Sequence, residues 1–293
     1  NPPPPTAEWE FKAPTTAGQY KKYVVDGGSS KTIEKTHKLQ AGDFFMKDGT
    51  LLETEATPTD AQQAACIGIV YWVGDIKGDN YTLLDSKFPG GTHGLVVSLW
   101  DMPDPDNTGS VTMTWTYGGY EFVDNWLANA QWSDGNPRPD GFTSIQVTDK
   151  MQGYANTIAL KEYNTYVEDK SEEGYGPESN KRVKPVKGLD DFEEKHPAPS
   201  NSSGWYWPSV YELQYVCWGQ GATGQGTTGK NMLNTQIQKV SGSNVFDSDG
   251  YWPSTEGSYY SYGAWYVGFG YGNVDYYGDK GDGACRVRPL LAF

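Results

Sequence analysis

The sequence is poor in the residues that build metal and redox sites. Among its 293 residues there are only three cysteines and three histidines, namely Cys66, Cys217, Cys285, His37, His93 and His196. They show neither the spacing of zinc ligands nor that of a disulfide framework, and at most one disulfide could form. We expect buried free thiols at Cys66 and Cys217, structural or surface roles for the histidines, and no cofactor.

Clusters of basic residues and long apolar runs are also scarce. The net charge is −14 and the isoelectric point is about 4.6, which is unlike the basic surface that binds nucleic acid. No apolar run approaches the roughly 18 residues of a membrane span, so we expect no transmembrane segment in this chain. The first residue is Asn1, followed by a proline run, which indicates a fragment or a processed form.

Signatures of catalysis are missing as well. No nucleophile-elbow, phosphate-loop or dinucleotide motif occurs, and the glycines after Gly268 lie in an alternating pattern without a following helix. One acidic turn contains Asp101, Asp104 and Asp106, whose carboxylates could bind calcium. Its spacing differs from that of an EF-hand and its prolines constrain it, so we expect a solvated turn and leave calcium binding open. The chain is therefore expected not to be an enzyme.

Local patterns predict strands and helices along most of the chain. Residues 7–58 tend to alternate, with a hairpin at 42–50, and buried strands are predicted at 67–73 and 93–100. Amphipathic helices are predicted at 152–163, after the capping box of Ser209 and Glu212, and at 229–240. Residues 168–203 are polar, rich in charge and without periodicity, which predicts a loop insertion, and 251–293 reads as terminal strands. This order is typical of an α+β fold.

The end of the chain uses a very small set of amino acids. Of the 29 residues from 257 to 285, 23 are Gly, Tyr, Ser, Asp, Ala or Cys. Trp265, Val267 and Phe269 alternate with Tyr266, Gly268 and Gly270, so a strand would place the large apolar side chains on one face. Tyr, Ser, Gly and Asp on the other face are typical of binding surfaces. With Val274, the three apolar residues are expected to hold the scaffold.

The outward side chains of this segment are the candidate ligand-binding residues. They are expected to supply aromatic contact area and hydrogen bonds, and they are Tyr259, Tyr260, Tyr262, Tyr266, Gly268, Gly270, Tyr271, Asp275, Tyr276, Tyr277, Asp279, Gly281, Asp282 and Gly283.

Codon usage and framework residues carry a family resemblance. The common residues of 257–285 can all arise from an AAC codon when its adenines are replaced or kept, and the segment is framed by YWPSTE, AWYVGF, GNV and RVRPLLAF. The chain thus resembles the variable proteins of diversity-generating retroelements, in particular Bacteroides fimbrillin-type pilus-tip adhesins. The GWYWPSVYELQ stretch also resembles formylglycine-generating enzymes, more distantly.

The resemblance implies an α+β, C-type-lectin-like fold with a short β-rich N-terminal segment. Residues 1–59 would be a proline-rich linker and β-rich segment, and 60–293 a lectin-like ligand-binding domain with a variable region at about 257–285. It further implies a cell-surface or pilus-tip adhesin whose partners are a protein or glycan on another cell, a phage or a host, together with pilus subunits. The alternatives are an enzyme of the formylglycine-generating type and a structural pilus subunit without diversified binding.

Overall fold

A computed structural model describes residues 19–25, 32–74, 76, 84, 93–127 and 142–293 of the chain. The strands, in chain order, are β1 (Gln19–Val25), β2 (Thr32–Lys38), β3 (Phe44–Met46), β4 (Leu51–Leu52), β5 (Cys66–Val73), β6 (Gly94–Ser98), β7 (Thr112–Met113), β8 (Gly250–Tyr251), β9 (Gly263–Gly268), β10 (Asn273–Asp279), β11 (Cys285–Arg286) and β12 (Leu290–Ala292). The helices are α1 (Asp60–Ala65), α2 (Asp124–Leu127), α3 (Gly153–Asp169), α4 (Lys184–Lys195), α5 (Val210–Trp218) and α6 (Thr228–Ile237).

One five-stranded sheet forms the apolar centre of the fold. Its strand order is β12-β6-β5-β3-β4, and the neighbours pair antiparallel. β5 and β6 consist almost wholly of buried side chains, so both read as continuous apolar runs rather than alternating ones. Leu291 of the last strand pairs with Val96 of β6, and the end of the chain is thereby built into the core.

A second five-stranded sheet carries the tyrosine-rich end of the sequence. Its order is β10-β9-β8-β11-β7, in which β9 pairs antiparallel with both β8 and β10. The one parallel contact joins Arg286 of β11 to Tyr251 of β8. Because β10 is the outer strand, the β9–β10 hairpin lies at the edge of the sheet and its turns reach the surface.

Helix α5 begins at the capping box expected from the sequence. The Ser209 hydroxyl accepts the Glu212 amide, and a Glu212 carboxylate oxygen accepts the Ser209 amide at 2.7 Å. The same carboxylate also accepts the Gly153 amide at the start of α3 and the Tyr206 hydroxyl. Burial raises the pKa of Glu212 although these donors oppose the shift. This one side chain therefore ties the starts of two helices together.

Several predicted elements are confirmed at close to the expected positions. The strand at 67–73 is β5, the strand at 93–100 is β6, and the helices at 152–163 and 229–240 are α3 and α6. α3 continues to Asp169, beyond its predicted end. The hairpin at 42–50 is formed by β3 and β4, and its Gly49 has a φ of 82°, which favours glycine.

Two expectations about organisation need correction. The segment 168–203 contains helix α4, because Val186, Leu189 and Phe192 recur at helical spacing and bury one face between charged residues. The boundary placed between residues 59 and 60 cuts through the first sheet, since β3 pairs with β4 on one side and with β5 on the other. We therefore propose that the larger unit starts near Leu39, which is buried in the same core. β1 and β2 form a separate antiparallel pair.

The described residues contain no helix that is both long enough and apolar enough to cross a membrane.

Candidate ligand-recognition surface

The β9–β10 hairpin anchors the tyrosine-rich segment to the core. Val267 pairs with Val274 across the hairpin, and Val267 is fully buried. Phe269, just beyond β9, is also fully buried, with its ring 4.9 Å from that of Phe246 and 4.4 Å from that of Tyr251. These contacts give the hairpin a fixed inner side.

The inner side of the hairpin ends at Trp265. Its expected scaffold role implied full burial, but its side chain is half-buried. A β-bulge in β10 between Asp275 and Gly278 faces Trp265, and the Tyr276 ring lies 5.4 Å from the indole. Val274 is half-buried too. The expected full burial of the apolar face is therefore wrong at Trp265, whose indole is partly exposed and lies beside the Tyr276 ring.

Four of the candidate tyrosines are exposed. Tyr271 at the tip of the hairpin is 82% exposed and Tyr259 is 71% exposed, while Tyr260 and Tyr262 are exposed to 38% and 40%. Exposed large aromatic side chains in contact with one another often mark binding surfaces on soluble proteins. A fifth exposed tyrosine, Tyr120 at 45%, comes from outside the segment.

Tyr120, Tyr259, Tyr260 and Tyr262 form one continuous cluster, which we call the tyrosine patch. The Tyr260 and Tyr262 rings are nearly parallel, with centroids 5.0 Å apart. Tyr259 meets Tyr260 edge-on at 80°, and Tyr120 meets Tyr262 at 82°. The patch is thus an angular set of rings rather than one flat plane.

The backbone beneath the patch is held by hydrogen bonds. The Gly263 amide donates to the Tyr260 carbonyl, the Gly257 amide to the Gly263 carbonyl, and the Lys280 amide to the Tyr262 carbonyl, at 2.9 to 3.0 Å. These bonds close the loop between β8 and β9 and join it to the end of β10. The exposed rings therefore project from ordered backbone, which lowers the entropic cost of binding.

Carboxylates lie beside the patch. One oxygen of Asp279 accepts the Gly281 and Asp282 amides at 3.0 Å, which fixes the turn after β10. Its other oxygen is 3.5 Å from the Tyr120 hydroxyl. The pKa of Tyr120 is raised, first by desolvation and then by the negative charge of Asp279. Asp282 is exposed at the same turn.

The remaining candidates divide by exposure. Half-buried side chains or backbone are found at Tyr266, Gly270, Asp275, Tyr276, Asp279, Gly281 and Gly283. Gly268 is buried, contrary to its outward assignment, because a Cβ there would lie 2.4 Å from the Asn273 side chain. The Tyr277 side chain lies outside the described part of the structure. Tyr120 was missed because nothing in its local sequence links it to a segment about 140 residues away.

A buried ion pair lies under the patch. The Lys280 ammonium is 2.6 Å from the Glu256 carboxylate, and both side chains are fully buried. Lys280 also donates to the Glu121 carbonyl, while Glu256 accepts the Val123 and Asp124 amides at 2.8 and 3.0 Å. Desolvation raises the pKa of Glu256, and the Lys280 charge opposes that rise. The pair fastens the end of β10 to the loop that carries Tyr120.

The acidic turn for which calcium binding was left open forms ion pairs. Asp101 accepts hydrogen bonds from Arg288 at 2.7 Å and Arg286 at 2.9 Å, so it faces the terminal strands. Asp104 lies 2.8 Å from the ammonium of Lys184 in α4. Asp106 is likewise paired, with Lys187 at 3.0 Å. The expectation of a solvated turn is confirmed for the exposed residues 106–109 and is wrong for Asp101 and Asp104, which are buried against cationic side chains. Among the described residues, no cluster of potential metal ligands is found.

The histidines and cysteines have structural surroundings. His196 stacks on Trp100 at 3.8 Å, and burial lowers its pKa to about 4. His93 is half-buried, and the His37 side chain lies outside the described part. All three thiols are free; Cys66 and Cys217 are buried as expected, and Cys285 is half-buried. Burial raises the pKa of each thiol to about 12.

Comparison with known proteins gives one curated relative and one solved structure. No protein-family model matches the chain. It is 30% identical over 259 residues to a protein of Bacteroides ovatus named putative fimbrium tip subunit Fim1C, an alignment that covers 82% of this chain and 42% of that protein. The chain thus spans less than half the length of this relative.

The solved structure is that of a fimbrial protein from Bacteroides ovatus. The TM-score is 0.62 at 23% sequence identity, and the match covers 94% of this chain and 57% of the other. This likeness shows that the two share a fold. Since both similar proteins are named as parts of fimbriae, which are surface appendages, the predicted cell-surface location is confirmed.

Proposed function

We propose that this chain is the ligand-recognition part of a fimbrial tip adhesin. The observation that carries the proposal is the division within residues 257–285 between exposed tyrosines and buried anchors. Tyr259 and Tyr271 are largely exposed, while Val267, Phe269 and Lys280 of the same short segment are fully buried. An adaptable binding protein needs this arrangement, in which surface residues can vary while the residues of the scaffold stay constant.

The codons of Trp and Lys support this division between variable surface residues and constant scaffold residues. Replacing the adenines of an AAC codon leaves a final cytosine, and neither Trp nor Lys has a codon that ends in cytosine. Trp265 and Lys280 therefore do not derive from AAC codons. Trp265 lies opposite the bulge of the hairpin, and Lys280 forms the buried ion pair with Glu256. This supports diversification by a retroelement as the source of the surface.

A C-type-lectin-like scaffold is part of the proposal. In favour of it are the terminal strand β12, which pairs with β6 at the edge of the first sheet, and the tyrosine-rich hairpin at the edge of the second. A protein or glycan on another cell, a phage or a host surface is the partner we propose, and further pilus subunits would carry the chain.

Binding is favoured over catalysis by the state of the thiols. An enzyme of the formylglycine-generating type relies on a cysteine pair, and Cys217 and Cys285 are the candidates here. Burial raises the pKa of both to about 12, so both are protonated near neutral pH and are poor nucleophiles. A structural pilus subunit remains the second candidate, because the similar proteins are named as fimbrial proteins.

The experiment compares beads coated with the chain and with a variant in which Tyr259, Tyr260, Tyr262 and Tyr271 are changed to Ser. Both bead types are counted on bacterial envelopes, phage particles and mucin. We expect the parent to adhere to at least one surface and the variant to lose that adhesion at unchanged melting temperature. Equal adhesion of both proteins, or adhesion of neither, contradicts the adhesin proposal and favours a structural subunit.

A further inference from the structure

The charge on the tyrosine-rich segment is more negative at its surface than its sequence suggests. Residues 257–285 contain three aspartates, Asp275, Asp279 and Asp282, and a single basic residue, Lys280. The Lys280 ammonium is fully buried against Glu256, so it offers no positive charge to a ligand. Asp282 is exposed and Asp279 lies next to Tyr120. The accessible charge of this surface is therefore negative.

Basic side chains next to the patch are also engaged. Lys181 pairs with Glu121, and the preceding residue, Asn180, accepts the Gly119 amide through its backbone carbonyl. Lys184 and Lys187 pair with Asp104 and Asp106. With a net charge of −14, the protein as a whole also attracts cations, and at this turn the negative charge adjoins exposed tyrosine rings.

The rings of the patch are arranged for a cation. Tyr259 and Tyr120 stand almost at right angles to the parallel pair of Tyr260 and Tyr262. Ring faces that meet at right angles surround a compact charge from more than one side, and cation–π attraction is strongest when the cation lies over a ring face. A sugar ring instead stacks on a broad open plane, and here the Tyr260 and Tyr262 planes are turned toward each other.

We propose that the tyrosine patch, with Asp279 and Asp282, binds a Lys- or Arg-bearing segment of a partner protein. The cationic side chain would lie among the rings of Tyr260, Tyr262 and Tyr120, and its charge would be balanced by the two carboxylates. Tyr120 becomes a recognition residue although it lies outside the diversified segment, because its ring and hydroxyl contact that segment. The inference rests on the proposed function and assigns it a ligand class.

The test uses two fluorescent peptides of equal length, one alternating Arg and Gly and one alternating citrulline and Gly. Citrulline keeps the shape of arginine without its charge. Fluorescence polarisation is measured with the whole chain at moderate salt, where the screening length is about 10 Å. We expect the arginine peptide to bind and the citrulline peptide not to bind.

Matched variants distinguish binding at the tyrosine patch from attraction to the negative charge of the protein as a whole. Tyr262→Ala and Asp282→Asn should each weaken binding about fivefold, the effect expected for a cation–π or exposed ionic contact. Tyr166→Ala and Asp191→Asn, at exposed positions of α3 and α4, remove the same groups elsewhere and should change affinity by less than about twofold.

Three outcomes overturn the inference. The arginine peptide fails to bind, or the citrulline peptide binds equally well, or the control variants weaken binding as much as the patch variants. The proposed function is judged separately by the beads. If tyrosine-dependent adhesion to mucin persists and is competed by mucin glycans but not by the arginine peptide, the surface recognises a glycan. In that case the adhesin proposal stands and the cationic ligand is wrong.

Discussion

Lys280→Met should destabilise the protein strongly, although it replaces a lysine by an apolar residue of similar length. The change removes the ammonium that lies 2.6 Å from the Glu256 carboxylate, at a position with no solvent exposure. Glu256 would keep its hydrogen bonds from the Val123 and Asp124 amides but would lose its counter-charge. Removing one partner of a buried ion pair typically costs about 3–5 kcal/mol of unfolding free energy, because the other charge is left buried.

The loss should depend on pH in a defined direction. Burial already raises the pKa of Glu256 in the folded protein, and Lys280 limits that rise. Without Lys280 the folded-state pKa rises further above the ordinary value of about 4.3. The folded variant then binds more protons than the unfolded chain, so its stability falls as pH rises between those two pKa values. The destabilisation should be largest near neutral pH and shrink in mild acid.

Urea unfolding followed by tryptophan fluorescence measures the effect at about pH 7.5 and about pH 5.5. Lys187→Met is the matched control, since Lys187 forms a surface pair with Asp106 and should contribute less than about 1 kcal/mol. The double variant Glu256→Gln with Lys280→Met should recover part of the stability, because no buried charge remains. Equal losses for Lys280→Met and Lys187→Met, or no recovery in acid, would refute the buried-pair reasoning.

Further predictions concern the anchors, the acidic turn and the thiols. Phe269→Ala should cost about 3–5 kcal/mol of unfolding free energy, whereas Tyr271→Ser should change it by less than about 0.5 kcal/mol; similar melting losses would mean that the two sides are misassigned. Ligand binding should survive EDTA, because the Asp104 carboxylate of the acidic turn is already paired with Lys184 and not with a metal ion. Loss of ligand binding on addition of the chelator would point to a metal-dependent site. Native Cys217, with its pKa near 12, should react slowly with iodoacetamide at about pH 8 and rapidly in urea; fast labelling of the folded protein contradicts the burial.

The parts of the fold that sequence predicts well have strong local signals. The apolar run of β5 and the capping box before α5 each depend on neighbours within a few residues. Helix α4 was missed because its apolar face is narrow and divided by charges. The recurrence of Val186, Leu189 and Phe192 three residues apart was the available signal.

The candidate surface was predicted only in part, for a different reason. Composition and alternation identify the exposed tyrosines at 259–262 and 271, but they cannot locate the bulge in β10 opposite Trp265. Tyr120 and Lys280 depend on contacts between distant segments. A lysine is almost always exposed unless paired, so its burial against Glu256 follows from the fold and not from its neighbours in sequence.

The most direct test of a variable surface on a fixed scaffold is deep sequencing of the gene segment encoding residues 251–293 across isolates and single colonies. The account predicts amino-acid replacements concentrated at the exposed positions, such as Tyr259, Tyr262 and Tyr271, with Trp265 and Lys280 unchanged. Replacements spread evenly along the segment, or found at Trp265 and Lys280 as often as at the exposed tyrosines, would contradict it.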